Sequence, residues 1–146
     1  MGAPRVSFYV LPGRDERARR LLACRLVEKA WQAEHRVHVV LEDADAAREF
    51  DELLWQFSDI GFVPHALAGD PAAPDAPVRV GTPADRAGDA AVLVNLCATL
   101  PEAPERFERI VEVIDADDDR RRHGRERFRA YRDRGIMPET HNLGDG

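Results

Sequence analysis

What most constrains this chain is the way two hydrophobic periods alternate along it. Arg5 to Leu11 (RVSFYVL) is a short β-branched and aromatic run closed by Pro12-Gly13. It reads as a strand ending in a turn, and its largely apolar character suits an interior position in a sheet. From Asp15 the period changes. Leu22, Leu26 and Ala30 recur at i, i+4 and i+8, and Cys24, Val27 and Trp31 at i, i+3 and i+7, which makes one broad buried helical face. Arg36 to Leu41 (RVHVVL) is a second strand. Asp43 through Leu54 (DADAAREFDELL) is a second helix, whose early acidic residues suit the positive end of its dipole.

Residues 55–75 form a long connection rich in Gly, Pro and Ala, and connections of that length are often functional. Short strands follow at Val78 to Gly81 and Ala90 to Asn95. Arg106 to Ile114 is open between a short helix and a strand at IVEVI, and Asp115 to Arg134 is a highly charged final helix. Alternation of this kind predicts an α/β fold, a three-layer Rossmann-like sandwich with a mostly parallel central sheet flanked by helices. One domain is expected across 1–146, with about 136–146 as an irregular C-terminal tail.

With 44% apolar and 33% charged residues the chain lies in the globular range and away from disorder. It contains no run of about 18 apolar residues, and its Met-Gly-Ala-Pro start leads straight into strand-like sequence, so no membrane association and a cytoplasmic location are expected. Cys24 and Cys97 each sit in an apolar stretch, which suits small buried residues better than a disulfide or metal pair. A net charge of -6 argues against a surface given over to duplex DNA.

Catalytic and cofactor signatures are missing from the places where this fold carries them. After the first strand comes Leu11-Pro12-Gly13-Arg14-Asp15, with neither G-x-G-x-x-G nor a G-K-[ST] phosphate loop. A nucleotide-dependent enzyme would rest on the strand and helix alternation alone. His35 and His38 fall on opposite faces of a strand, so they make no metal pair. Asp115, Asp117, Asp118 and Asp119 lack the Gly and Glu of a calcium loop and read as the acidic start of a helix. Ser7 and Ser58 are the only serines, and Ser58 lacks the G-x-S-x-G elbow. No catalytic residue, metal or cofactor is expected.

Two features remain. Between Arg120 and Arg134 stand eight arginines, a local excess that runs against the acidic total. At about 100° per residue Arg121, Arg125, Arg129 and Arg132 share one quarter of the helix, beside a sector holding Gly124, Phe128 and Tyr131. A solvated arginine face with the rings packed inward explains the pattern. A groove for an acidic peptide ending in an apolar residue explains it too, and both can hold together. Direct single-strand binding, with Phe128 stacking on bases, is a third reading that the net acidity opposes. The second feature is the segment from Trp55 to His65, where large apolar groups cluster among Gly and Pro. It reads either as a satellite cluster under the loop or as an exposed aromatic anchor for a partner.

FYVL at 8–11, LLW at 53–55, FVPHALAG at 62–69 and RERFRAYRDRG at 125–135 together resemble the chi subunit family of the bacterial DNA polymerase III holoenzyme. The resemblance covers nearly the whole chain. It implies a non-catalytic accessory subunit of a DNA-directed DNA polymerase, associated with the clamp loader. Such a subunit binds the acidic C-terminal tail of single-stranded DNA-binding protein and connects it to the polymerase through the psi subunit. Carried over by position, Arg125, Phe128 and Arg129, with Arg121 one turn earlier, correspond to the tail-binding surface. The aromatic at 128 is Phe, which puts any hydroxyl-dependent contact in doubt. Trp55 and Phe62 match positions that meet psi or, in competition, a helicase-like repair protein. DNA is then reached only indirectly, through the single-stranded DNA-binding protein.

Overall fold

The structure is a computed structural model describing residues 3–57 and 62–144. Its elements run β1 (Arg5–Val10), α1 (Glu16–Gln32), β2 (Val37–Val40), α2 (Ala44–Gln56), β3 (His65–Leu67), β4 (Val78–Gly81), β5 (Val92–Asn95), β6 (Arg109–Ile114), α3 (Asp118–Asp133) and β7 (Glu139–Asn142). Each helix opens on an aspartate whose carboxylate accepts a backbone N–H of the first turn: Asp15 from Arg17, Asp43 from Ala46 and Asp117 from Arg120. The acidic run before α3 therefore has local work: Asp117 caps the helix, and Asp115 accepts two bonds from the Arg120 guanidinium at 2.8 and 2.9 Å.

The strands form one parallel sheet in the order β3-β4-β2-β5-β6-β1-β7. Successive side chains alternate between its faces. Val37, Val39, Val78, Val80, Val92, Val94, Val111 and Val113 meet Ala23, Cys24 and Val27 of α1 and Phe50, Leu53 and Leu54 of α2. Val6, Phe8, Leu93, Ile110 and Ile114 meet Tyr131 of α3 and Ile136 after it. The units β1-α1-β2 and β2-α2-β3 step toward the β3 edge, whereas β6-α3-β7 steps the other way across β1. Parallel crossovers are right-handed, so opposite steps put their helices on opposite faces. The result is the expected three-layer sandwich, with a sheet that is wholly parallel.

Three segments differ from, or decide, the sequence reading. IVEVI is strand β6, buried along most of its length. His65–Leu67 forms β3 inside the segment 55–75 read as one long connection. Glu139–Asn142, within the expected irregular tail 136–146, forms edge strand β7 against β1. Arg5 and Glu139 pair at 3.0 Å beside it, the Tyr9 and His141 rings stack at 4.7 Å, and the Leu143 N–H donates to Val10. Glu-Thr-His-Asn is mostly exposed, so no hydrophobic period marks it; a partner strand supplies its hydrogen bonds. Ser58, Asp145 and Gly146 lie outside the described residues.

Both cysteines are buried and unbridged. Burial pushes the Cys24 thiol up to about 12, which keeps it from ionising near neutral pH. Gly124 lets α3 approach β6, because a β-carbon there would stand 2.9 Å from Ile114 Cδ1. The link from β4 to β5 contains no helix, so on the α3 side the centre of the sheet is covered by loops.

His38, in β2, is 2% exposed and its Nε2 has no hydrogen-bond partner among the described residues. Burial lowers its pKa to about 4, only partly opposed by the nearby Asp85 carboxylate and reinforced by Arg79. The unfolded chain binds a proton near pH 6.5 that the folded chain refuses until about pH 4, so stability is retained above 6.5 and lost as pH falls between the two values. Between pH 7 and pH 5 urea melts should show His38 contributing a loss of about 2 kcal/mol. His38→Leu should flatten that pH dependence, and an unchanged slope would show that other groups set it.

Candidate functional site

The eight arginines of the α3 region divide into two sets. Arg120 pairs with Asp115 at 2.8 Å, Arg122 with Asp119 at 3.3 Å, Arg127 with Glu112 at 3.0 Å and Arg134 with Glu105 at 2.6 Å. Arg121, Arg125, Arg129 and Arg132 are exposed and, among the described residues, have no carboxylate within 4.0 Å. These four are the residues that helical spacing places on one stripe. With no close ion pair among the described residues, their guanidinium donors are free to meet an anion from outside.

Phe128 borders the stripe and is half-buried. Its ring lies 5.4 Å from Phe8, which in turn meets Tyr131 edge-on at 6.0 Å. One side of Phe128 therefore belongs to the core while the remainder lies beside the arginines. Tyr131, from the same sector, is fully buried and donates its hydroxyl to Glu112 at 2.7 Å. Burial and the adjacent carboxylate both raise the Tyr131 pKa, so it stays a donor.

Beneath the stripe lies a polar network that anchors the helix. Glu112 is fully buried in β6. Its carboxylate accepts from Arg127 Nε at 3.0 Å, from the Tyr131 hydroxyl, and from Asn95 Nδ2 at 3.1 and 3.2 Å. Arg127 Nη1 also donates to the Ala98 carbonyl at 2.9 Å. Burial pushes the Glu112 carboxyl up, and the three donors oppose that push. Sequence reading passed over Glu112, yet the signal was present: a lone Glu in the apolar run IVEVI must find partners or stay out of the sheet.

Trp55, at the end of α2, and Phe62, before β3, are 51% and 59% exposed with ring centroids 5.3 Å apart. They form an aromatic surface rather than a cluster hidden under the loop. His65 supports it from below, its ring 4.4 Å from Trp55. The His65 Nδ1 lies 2.6 Å from the Val63 carbonyl and Nε2 3.0 Å from the Asp51 carbonyl. His65 was not picked out from the sequence as part of this surface. α2 packs on β3 and β4, whereas α3 packs on β6 from the other side, so the two surfaces lie on opposite faces and toward opposite edges of the sheet.

Doubly wound sheets usually hold ligands past the strand C-termini, where neighbouring connections diverge. Here β1 and β6 are those strands, and the crevice beyond them holds side chains of the chain itself. Arg19, 3% exposed, donates to the Val113 and Leu96 carbonyls at 2.8 and 3.2 Å and to Glu16 at 2.7 Å. Arg120 reaches Glu16 from the other side at 3.4 Å.

The chain can be set beside known proteins on this geometry. The family model described as "DNA polymerase III chi subunit, HolC" matches residues 3–139. The chain is 36% identical to DNA polymerase III subunit chi of Pseudomonas aeruginosa, over 95% of this chain and 96% of that protein. It is 31% identical to the subunit chi of Escherichia coli K12, over 82% of each, and 29% identical to that of Haemophilus influenzae, over 97% of this chain and 99% of that protein. A match of this extent identifies an accessory subunit of the replicative polymerase: the chain belongs to the DNA polymerase III chi subunit family.

Proposed function

We propose that this protein is a non-catalytic adaptor that binds the acidic C-terminal tail of single-stranded DNA-binding protein and joins it, through psi, to the clamp-loader side of the polymerase. The observation that carries this reading is the stripe of Arg121, Arg125, Arg129 and Arg132, without a paired carboxylate among the described residues and beside the half-buried Phe128. Arginines offer charge-assisted, bidentate bonds to the tail's carboxylates, and Phe128 offers a flat apolar contact to its terminal residue. Trp55 and Phe62 supply the second surface, for psi or a competing helicase-like repair protein, since exposed aromatic pairs are the usual anchors of an interface. Separation of the two across the sheet suits a linker, because one partner does not obstruct the other. A cytoplasmic location goes with this role, with DNA reached through the tail-bearing protein. Among the described residues no helix is long and apolar enough to cross a membrane.

Calorimetry with a short tail peptide tests the first surface. Arg125→Ala, and separately a peptide lacking its terminal aromatic residue, should each cost about 1 to 3 kcal/mol of binding, and affinity should fall with added salt. Unchanged binding in both would remove α3 as the tail site.

A further inference from the structure

A hollow of about 220 Å³ lies on the α1 side of the sheet, between the last turns of α1 and the first residues of β5 and β6. Leu26, Ala30, Val92 and Val111 give it apolar walls. Its charged walls are of one sign: Lys29 and Arg109 line it, with the His35 imidazole and the Tyr9 hydroxyl beside them and no carboxylate. Four other hollows each mix acidic with basic side chains. In a chain whose net charge is -6, this hollow is therefore marked out by what it lacks.

The donors are fixed in place without being neutralised. Arg109, the first residue of β6, donates from Nη2 to the Tyr9 hydroxyl at 2.9 Å. The Tyr9 ring is itself held by stacking on His141, with ring centroids 4.7 Å apart. Since its oxygen accepts from Arg109, the Tyr9 hydroxyl keeps its own proton to donate. Neither Arg109 nor Lys29 has a carboxylate within 4.0 Å among the described residues. Glu139, which feels the charge of Arg109, is engaged by Arg5 at 3.0 Å. The end of α1 does not restore negative charge either, because the carbonyls of Lys29, Ala30 and Trp31 accept the N–H groups of Ala33, His35 and Glu34.

We infer that this hollow is a binding site for a small organic carboxylate with an apolar body. Arg109 and Lys29 meet the carboxylate, and the aliphatic walls take the body. One charge suits the site better than two, since a phosphate ester would bring further charge to be desolvated against those walls. The volume lies below the roughly 300 to 1,000 Å³ usual for drug-sized ligands, which limits the body to one ring or a short chain. The site is separate from the arginine stripe and from the Trp55 surface, and it does not depend on the proposed role of either.

The full-length protein, titrated with benzoate and with hexanoate and followed by two-dimensional amide NMR, tests this. At least one of the two should bind saturably with Kd below about 1 mM, shifting amides around Ala30, Ala33, Val92 and Arg109. Acetate, which lacks the body, and benzyl alcohol, which lacks the charge, should each bind at least about tenfold more weakly. Arg109→Gln should weaken binding at least about tenfold; if that variant does not fold, Lys29→Gln, at an exposed helix position, still decides with a loss of at least about threefold and an unchanged melting temperature. Lack of saturable binding by both carboxylates up to about 10 mM overturns the inference. So do shifts confined to α3, binding that survives Lys29→Gln undiminished, benzyl alcohol binding as well as benzoate, or phenyl phosphate binding more tightly than benzoate.

Discussion

Arg127→Ala is expected to destabilise the protein by about 3 to 5 kcal/mol, the cost of leaving one member of a buried ion pair alone. Glu112 is fully buried, and Arg127, 5% exposed, is its only cationic partner among the described residues. The Tyr131 and Asn95 bonds would remain, but two neutral donors do not compensate a buried carboxylate. Against the 5 to 15 kcal/mol typical of a domain, that loss should lower the melting temperature by roughly 10 °C or more. A thermal or urea melt of the variant measures it. The double variant Glu112→Leu with Arg127→Met should recover part of the loss, since it removes the unpaired charge but leaves the buried Tyr131 hydroxyl without its Glu112 acceptor. A single variant with wild-type stability would show that Glu112 is carried as the neutral acid. Because Arg127 lies between Arg125 and Arg129 in sequence, the same variant should also weaken tail binding by loosening the helix that presents them.

Trp55→Ala is expected to weaken psi binding by about 2 to 4 kcal/mol, which is roughly 30- to 1000-fold in Kd. Half of this ring is already exposed, so little core packing is lost, and the melting temperature should move by only a few degrees. Phe62→Ala should act in the same direction, and the double variant should fall short of the sum, because the rings touch and form one contact. Tail-peptide affinity should be unchanged in all three, since α3 lies on the other face of the sheet. Surface plasmon resonance with immobilised psi and a separate tail titration give both readouts. Full-strength psi binding by Trp55→Ala removes the aromatic surface from the proposal. Parallel loss of tail binding would mean that the surfaces do not act independently.

The arginine stripe was legible from spacing because a helix fixes angular position at about 100° per residue whatever surrounds it. Which arginines stay available was not. Arg125 and Arg127 look alike in RERFR, yet Arg127 is consumed by Glu112 and Arg125 meets no carboxylate among the described residues. Phe128 and Tyr131 were grouped together by period, but only contact with Phe8 and Glu112 separates the half-exposed ring from the buried one. Trp55 and Phe62 were singled out as unusual for a loop; their exposure and mutual contact depend on how the end of α2 meets the start of β3, where Trp55 lies against His65.

By itself the sequence determined what depends on near neighbours. Alternating periods of 2 and 3.6 residues specified the strands, the helices and the α/β class, and local charge specified the basic face of α3. Tertiary structure decided what depends on distant pairs. It added β7 through contacts such as Arg5 with Glu139, 134 positions apart, and it set the strand order that puts the arginine stripe and the aromatic pair on opposite faces. It also drew four of the eight arginines into ion pairs. A residue's period is written in its immediate neighbours, whereas its partner is fixed only when the chain closes on itself, and the proposed tail site depends on which charges that closure leaves unpaired.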